Sequence, residues 1–366
     1  MSDSASLLQL PVLSFQGSPR AMGEAFGEAC RESIQRLAEI RLKAAQRFGI
    51  ERAGKQWEES TVLEWAASCL PIAETWDPQT HEEFLGIARG ADLTPERLFV
   101  MQGLTDIRDH MAFRPEPDTE GCSSLILGRE RAEGGRLLAG QNWDLETSNM
   151  DYVVLVRRRP DNAPETASLT LTGCLSLIGL NSEGFGIGTT NFTLGDTRAG
   201  IHYLQLIHRL LRCRSAEEAA CLAEQAPRLA AHYYYLVDAN GRGVGLECSG
   251  RSAHRFHPEK GRLVRCNHIL HPDFKTLEVT PPAESSCFRQ ERLSALIDGH
   301  AGSISVDDLK HFLADHEGGH LALCRHRFPP GDVSTNACVI LSPETGELHA
   351  CRGQAHAGAW ERVVVG

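Results

Sequence analysis

The chain has 366 residues, 42% of them apolar and 23% charged, with a net charge of −11. That composition is globular and excludes collagen, coiled coil and intrinsic disorder. No block of Lys/Arg offsets the acidity, so neither nucleic acid nor an anionic membrane is expected as a partner. The twelve cysteines include no C-x-x-C pair, which removes the zinc-ribbon and thioredoxin-type signatures.

The start, Met1-Ser-Asp-Ser-Ala-Ser-Leu-Leu8, has no basic or apolar leader. No stretch approaches ~18 unbroken apolar residues, the length of a membrane span. The expected setting is cytoplasmic and reducing, with most thiols acting as small buried hydrophobes.

Ser18-Pro19 predicts a helix start, and apolar residues from Ala25 to Ile40 recur at helical spacing up to Gly49. Further helices are predicted over 56–70, stopping at Pro71, over 81–88, and from Thr94-Pro95 toward Ile107. The first 121 residues hold 12 basic and 20 acidic side chains, so most of the net charge sits in this helical part. Residues 113–121, with two prolines, a glycine and four charges, read as an exposed connection.

From Cys122 the pattern turns to strands: 122–127, 136–142, 151–158, 167–173 and 184–191, with Glu133-Gly-Gly135 as a hairpin turn. Helices follow at 200–212 and 215–225, where Ser215 and Glu218 form a capping box. Strands resume at 232–238, 243–248 and 262–267. Helices at 286–297 and 306–315 precede final strands at 335–342 and 347–352. Antiparallel runs interrupted by helix pairs predict a layered α+β fold rather than alternating βαβ units. Gly184-Phe-Gly-Ile-Gly188 and Gly241-Arg-Gly-Val-Gly245 lack the spacing of a dinucleotide fingerprint and read as hairpin glycines.

His316-Glu-Gly-Gly-His320 matches H-E-x-x-H, and His326 falls at the third metzincin position. The motif needs both histidines one helical turn apart. Gly318-Gly319 costs about 2 kcal/mol of helix propensity against alanine and reads as the end of the preceding helix. Leu323 stands where the metzincin pattern has glycine, and no methionine lies downstream. A zinc protease through His316 and His320 is therefore the minor alternative, and no metal or cofactor is expected. His268 and His271 follow a strand at a spacing that does not place them on one face. No Gly-x-Ser-x-Gly elbow occurs.

The chemistry-bearing constellation is Glu120-Gly-Cys-Ser-Ser124, then Gly140-Gln-Asn-Trp-Asp144. If Cys122 attacks the Gly121 carbonyl and the thioester is hydrolysed, Cys122 gains a free α-amine. Such an amine has a pKa near ~7.7–8.0 against ~8.5 for a thiol. It serves as general base for its own side chain, and an Asp on the neighbouring strand would orient it.

This ordered pair of motifs resembles the acyl-coenzyme A:6-aminopenicillanic acid acyltransferase (isopenicillin N acyltransferase) family of autoprocessing N-terminal-nucleophile hydrolases. Gly17-Ser-Pro-Arg-Ala-Met-Gly-Glu-Ala-Phe-Gly27, Gly86-Ile-Ala-Arg-Gly-Ala91, 179–191, Arg265-Cys-Asn-His268, and Leu313-Ala-Asp-His-Glu-Gly318 with Cys324-Arg-His326 follow in family order.

The resemblance implies a four-layer αββα N-terminal-nucleophile sandwich. It also implies a precursor cut at Gly121–Cys122 into a helical 1–121 segment and a catalytic 122–366 part, which stay associated as one folding unit. The implied activity is a linear-amide hydrolase or N-acyltransferase working through an acyl-Cys122 on a small-molecule amide or acyl-thioester. In that scheme Cys122 is the nucleophile and Asp144 holds its amine. Asn267 and the backbone at Asn191 form the oxyanion site, and Arg325 is the site arginine. Gln141 stands where bile-salt hydrolases carry arginine. The bland alternatives are local backbone satisfaction by the two asparagines and a surface ion pair for Arg325. A non-catalytic binding module on the same fold is the rival class. The acyl group, the acceptor and any homo-oligomer are not set by the sequence.

Overall fold

The computed structural model describes residues 7–111, 121–279, 281–329 and 331–366. The predicted connection at 113–120 lies outside the described residues, as do residues 1–6.

The N-terminal part is mostly helical, with four departures from expectation. It opens with a strand, β1 (Val12–Gly17), whose alternating exposure suits a sheet edge. The helix predicted from Pro19 to Gly49 is two, α1 (Pro19–Ala29) and α2 (Arg31–Ala53), broken at Cys30. Ser18 caps α1 by accepting from the Ala21 N–H. The third departure is α3 (Glu59–Trp76), which runs through Pro71. An interior proline costs about 3 kcal/mol. Buried Val62, Ala66, Cys69 and Ala73 hold the helix across it.

Three more helices follow, α4 (Pro78–Gly90), α5 (Pro95–Gln102) and α6 (Leu104–Met111). The fourth departure is that the helix predicted from Thr94-Pro95 toward Ile107 is two, divided at Gly103. The glycine-spaced pieces of α1 and α4 face each other. A Cβ on Gly23 would meet the Glu83 carbonyl oxygen at 2.2 Å, and one on Gly90 the Glu24 carbonyl oxygen at 2.2 Å. Backbone-to-backbone packing is what these glycines permit.

The remaining elements are β2 (Gly121–Leu127), β3 (Leu138–Glu146), β4 (Val153–Pro160), β5 (Thr166–Leu171), β6 (Ile178–Asn181), β7 (Phe185–Asn191), α7 (Tyr203–Leu210) and α8 (Ala216–Gln225). Then come β8 (His232–Asp238), β9 (Gly243–Cys248), β10 (Ala253–Phe256), β11 (Arg262–Arg265), α9 (Pro272–Lys275), α10 (Glu284–Gly299), α11 (Val306–Leu313), β12 (Val333–Ser342), β13 (Glu347–Arg352) and β14 (Glu361–Val364). Unforeseen were the short β6, β10 and β14 and the single-turn α9. Strand β3 extends past 142, so Asp144 lies within it. Both edges of β3 are paired there, to β2 and to β12. Ser215 caps α8, but Glu218 answers the Arg214 N–H rather than its own N-cap, so the predicted box is offset by one residue.

Among the described residues the strands form two sheets, ordered β1-β4-β5-β6-β7-β8-β9-β10 and β11-β2-β3-β12-β13-β14. β1 runs parallel to β4, and the other pairs are antiparallel. The inner faces share a core that includes Trp143, Tyr233, Tyr235 and Val339. Helices α7 and α8 cover Phe185, Ile187, Tyr234 and Leu246 on the first sheet's outer face. Helices α10 and α11 cover Leu125, Leu127 and Ile340 on the second. This is the four-layer αββα arrangement within α+β that the resemblance implies. No helix among the described residues is long and apolar enough to cross a membrane. All twelve cysteines are free.

A buried ion cluster joins the N-terminal helices to this sandwich. Glu83 on α4 accepts from the Arg158 Nε on β4 at 2.6 Å and lies 3.2 Å from the His208 Nε2 on α7. Burial pushes its carboxyl up, but the charges and hydrogen bonds of His208 and Arg158 outweigh that and hold it at about 2. The folded value is below the ordinary 4.5. The stabilisation is therefore present above pH 4.5 and is lost as the pH falls toward 2. Glu83→Gln is expected to cost about 3–5 kcal/mol at pH 7, the usual penalty for leaving a buried charge unpaired. It is also expected to flatten the acid limb of the stability curve measured by denaturant melts.

Candidate active site

The β2–β3 pairing sets the register of the site: Gly121 lies opposite Asp144 and Cys122 opposite Trp143. Alternation then sends residues of the Gly-Gln-Asn-Trp-Asp motif to different tasks. Gln141 donates through Nε2 to the Thr189 carbonyl at 2.6 Å and its side chain also reaches the Cys122 thiol. Asn142 donates to the carbonyls of Leu313 and Leu323, at 2.8 and 2.9 Å, and pins the loop after α11. Asp144 accepts through Oδ1 from the Thr335 hydroxyl on β12 at 2.8 Å. Its Oδ2 is buried without a hydrogen-bond partner among the described residues.

Asn267 arrives on the loop after β11, and two devices fix that loop. Arg265 pairs with Glu247 beneath it, and the Glu247 carboxylate accepts from the backbone N–H groups of Leu270 and His271 at 2.8 and 2.9 Å. Ser286 at the start of α10 accepts from the Asn267 N–H at 2.8 Å and contacts the His268 Nδ1 at 2.8 Å. Burial, with the nearby cations Arg265, Lys275 and Arg289, lowers His268 to about 4, so its ring is neutral at pH 7. In this seat the Asn267 Oδ1 accepts from the Cys122 N–H at 2.8 Å, and Nδ2 donates to the Asn191 carbonyl at 2.8 Å.

The structure thus gathers Cys122, Asp144, Asn191 and Asn267 around one pocket of about 40 Å³, shared with Gly121, Trp143, Tyr203 and His232. Arg325 is not in its wall. Its backbone N–H donates to Thr335 Oγ1 at 2.8 Å, and its charge acts on the Asp144 carboxyl.

Two contributors were not foreseen. Arg289, fully buried on α10, donates to the Cys122 carbonyl, to Ser123 Oγ at 3.0 Å and to Asn267 Oδ1 at 2.9 Å. Its sequence signal is a cation in the same buried stripe as Leu293 and Ile297. His232 enters from β8, held by Asp106 at 2.6 Å and stacked on Tyr203.

Burial, and then the charge of Asp144, pushes the Cys122 thiol far above its usual range, so it is protonated in the intact chain. Burial likewise raises Asp144 against the opposing pull of Arg289 and Arg325. The pocket therefore sets a neutral thiol beside a carboxyl whose outer oxygen is uncommitted.

Gly121 is sterically required here. A Cβ would lie 2.4 Å from Arg289 Nη2 and 3.0 Å from Asn267 Oδ1. Gly121→Val is expected to lower stability by about 1–3 kcal/mol, the usual cost of overpacking. Gly299→Ala, with nothing within 4 Å, is the control in the same calorimetric series.

Residues 131–357 match the model of the family described as acyl-coenzyme A:6-aminopenicillanic acid acyl-transferase. The chain belongs to this family. The matched span holds Asp144, Asn191, Asn267, Arg289 and Arg325 and begins just downstream of Cys122. Family membership places acyl-transfer chemistry on this fold. Among solved structures it is similar to a variant of conjugated bile acid hydrolase from Clostridium perfringens. That match has 13% identity and a TM-score of 0.48 over 66% of this chain and 92% of the other. It is also similar to penicillin V acylase from Agrobacterium tumefaciens, at 12% identity and a TM-score of 0.47 over 66% and 86%.

The glycines of the H-E-x-x-H stretch bear on the minor alternative. Helix α11 ends at Leu313, and Gly318 and Gly319 have φ of +96° and +62°. His316 and His320 therefore share no helix face.

Proposed function

We propose that the chain is an autoprocessing cysteine amidohydrolase or N-acyltransferase whose nucleophile is Cys122. One observation carries this reading. The Gly121–Cys122 peptide itself occupies the pocket, its N–H held by Asn267 and the next carbonyl by Arg289.

That placement supports self-cleavage. The Cys122 Sγ attacks the Gly121 carbonyl carbon, the C–N bond breaks, and the nitrogen takes up the proton that the thiol gives up. Water then hydrolyses the thioester, freeing the Gly121 carboxylate and the thiol. Asp144, with its outer oxygen uncommitted, orients the new α-amine, which acts as base for the thiol in later turnovers. The substrate carbonyl takes the place that Gly121 leaves. Asn267 Nδ2 and the backbone at Asn191 stabilise its oxyanion, a contribution of roughly 3–4 kcal/mol in acyl-transfer sites. The leaving amine or thiol departs protonated, and water or an amine resolves the acyl-Cys122. The two chains remain one body because β1 is a strand of the first sheet. Twelve free thiols support a reducing, cytoplasmic setting.

A larger cavity of about 200 Å³ shares Thr105 and Leu145 with the pocket. Three arginines, Arg41, Arg47 and Arg108, line it against two carboxylates, Glu146 and Asp332, together with Leu37, Phe48 and Tyr152. That lining fits an apolar arm ending in an anionic group. Incubation with a panel of acyl amides and acyl thioesters, with and without a terminal carboxylate, tests the reading by intact mass. The expected result is an acyl adduct on a fragment beginning at Cys122, formed fastest from the acidic members. Turnover without any adduct on that fragment would overturn it.

A further inference from the structure

Behind Arg325 the fold assembles a second cluster that the acyl chemistry does not use. Cys324, His326 and His356 each present one donor atom, and the three donors lie within 4.8 Å of one another. Cys324 is fully buried, while His326 and His356 are exposed. The Cys324 Sγ to His356 Nδ1 distance is 3.7 Å. Ligands on one tetrahedral zinc, with Zn–S ≈ 2.3 Å and Zn–N ≈ 2.0–2.1 Å, are about 3.5 Å apart. The His326 and His356 ring centres are 5.2 Å apart, against about 5 Å for two imidazoles on such an ion. His316 stands on the solvent side, its ring centre 6.1 Å from both. Its Nδ1 faces the Ala314 carbonyl at 3.3 Å, and it lies outside the group whose donor atoms converge.

We propose that Cys324, His326 and His356 form a binding site for a zinc-class divalent cation, with the fourth position open to water. On binding, the Cys324 Sγ–H bond gives way to an S–metal bond and the proton passes to solvent. The ion clamps the 324–326 segment to the 353–357 turn. Arg325 lies between two of the ligands. Its carbonyl accepts from the Thr335 N–H at 3.0 Å and from Gln354 Nε2 at 3.3 Å, and Thr335 holds Asp144. The ion is therefore structural, a support behind the nucleophile's carboxylate. It differs from the H-E-x-x-H reading in its ligands, since His320 takes no part.

The test uses full-length protein stripped with a chelator and titrated with Co²⁺ alone, followed by absorbance. The expected result is one equivalent bound, with tetrahedral ligand-field bands and a near-ultraviolet thiolate-to-cobalt band, all displaced by Zn²⁺. His326→Ala and His356→Ala alter exposed side chains, so folding is not at stake. Each is expected to weaken binding at least about 100-fold. Cys324→Ser is expected to remove the thiolate band, and Cys122→Ala to leave it whole, which separates this site from the nucleophile. The proposal falls if no thiolate band forms, if the band survives Cys324→Ser, or if His356→Ala binds like the wild type. Binding at the sulfur-free group His254, His271 and Asp273 would give that last outcome.

Discussion

Cys122→Ala is expected to yield a single uncut chain with activity reduced at least about 10⁴-fold, the scale seen when a covalent nucleophile is removed. Wild-type protein is expected to run as two bands, with Cys122 as the N-terminal residue of the larger. The physical basis is the register of β2 on β3, which places the Gly121–Cys122 peptide between Asn267 and Arg289. The substitution removes only Sγ from a side chain already in the core, so the melting temperature is expected to change little. Wild type that stays uncut and yet turns over amides would sink the self-cleavage. An uncut and inactive wild type would instead favour a binding module on this fold. N-terminal sequencing and a turnover assay on the same sample distinguish the three results.

Asp144→Asn keeps the shape of the site and removes its carboxylate. Two opposed effects are separable. The charge of Asp144 helps to hold the Cys122 thiol above its usual range, so its loss makes the thiolate easier to form. In the proposed mechanism the same charge orients the α-amine that serves as base. Orientation is expected to win, with cleavage and turnover both falling about 10³–10⁴-fold, as for an isosteric change at the buried carboxylate of another acyl-transfer site. Faster cleavage in Asp144→Asn would show that thiolate supply, and not orientation, is limiting. Stability supplies the internal control. Burial holds this carboxyl above its ordinary 3.8. The folded state therefore binds the extra proton, and stability is lost as the pH rises from 3.8 through the folded value. In the uncut Cys122→Ala background the change escapes that loss, so at pH 8 Cys122→Ala with Asp144→Asn is expected to melt at or above the temperature of Cys122→Ala alone. A slow but stable variant places the defect in chemistry.

Much of this was legible before any coordinates. The helix starts at Ser18-Pro19 and Thr94-Pro95 are local capping chemistry, and both are present. The strands from Cys122 onward show as apolar runs between turn glycines. The missed strands are the short ones and those with half-exposed faces, β1, β10 and β14. Their own residues carry little alternating pattern; β1 pairs with distant β4, whereas β10 and β14 are four-residue strands set against their chain neighbours β9 and β13. Pro71 was read as a helix end because proline breaks an isolated helix. The surrounding core decided otherwise.

The sequence by itself determined which residues are candidates for the chemistry. A glycine before Cys122, Asp144 in the following motif and Asn267 in Arg-Cys-Asn-His are local signals, because turn, strand and motif chemistry act over a few residues. Only the tertiary structure decided how they meet. Arg289 reaches the Cys122 carbonyl across 167 residues of chain, and Arg325 acts on Asp144 through its charge without lining the pocket. Cys324, His326 and His356 become neighbours only when the turn after β13 folds back on the loop before β12. Side-chain identity is written in sequence order, whereas distances between side chains depend on how two sheets and four layers stack.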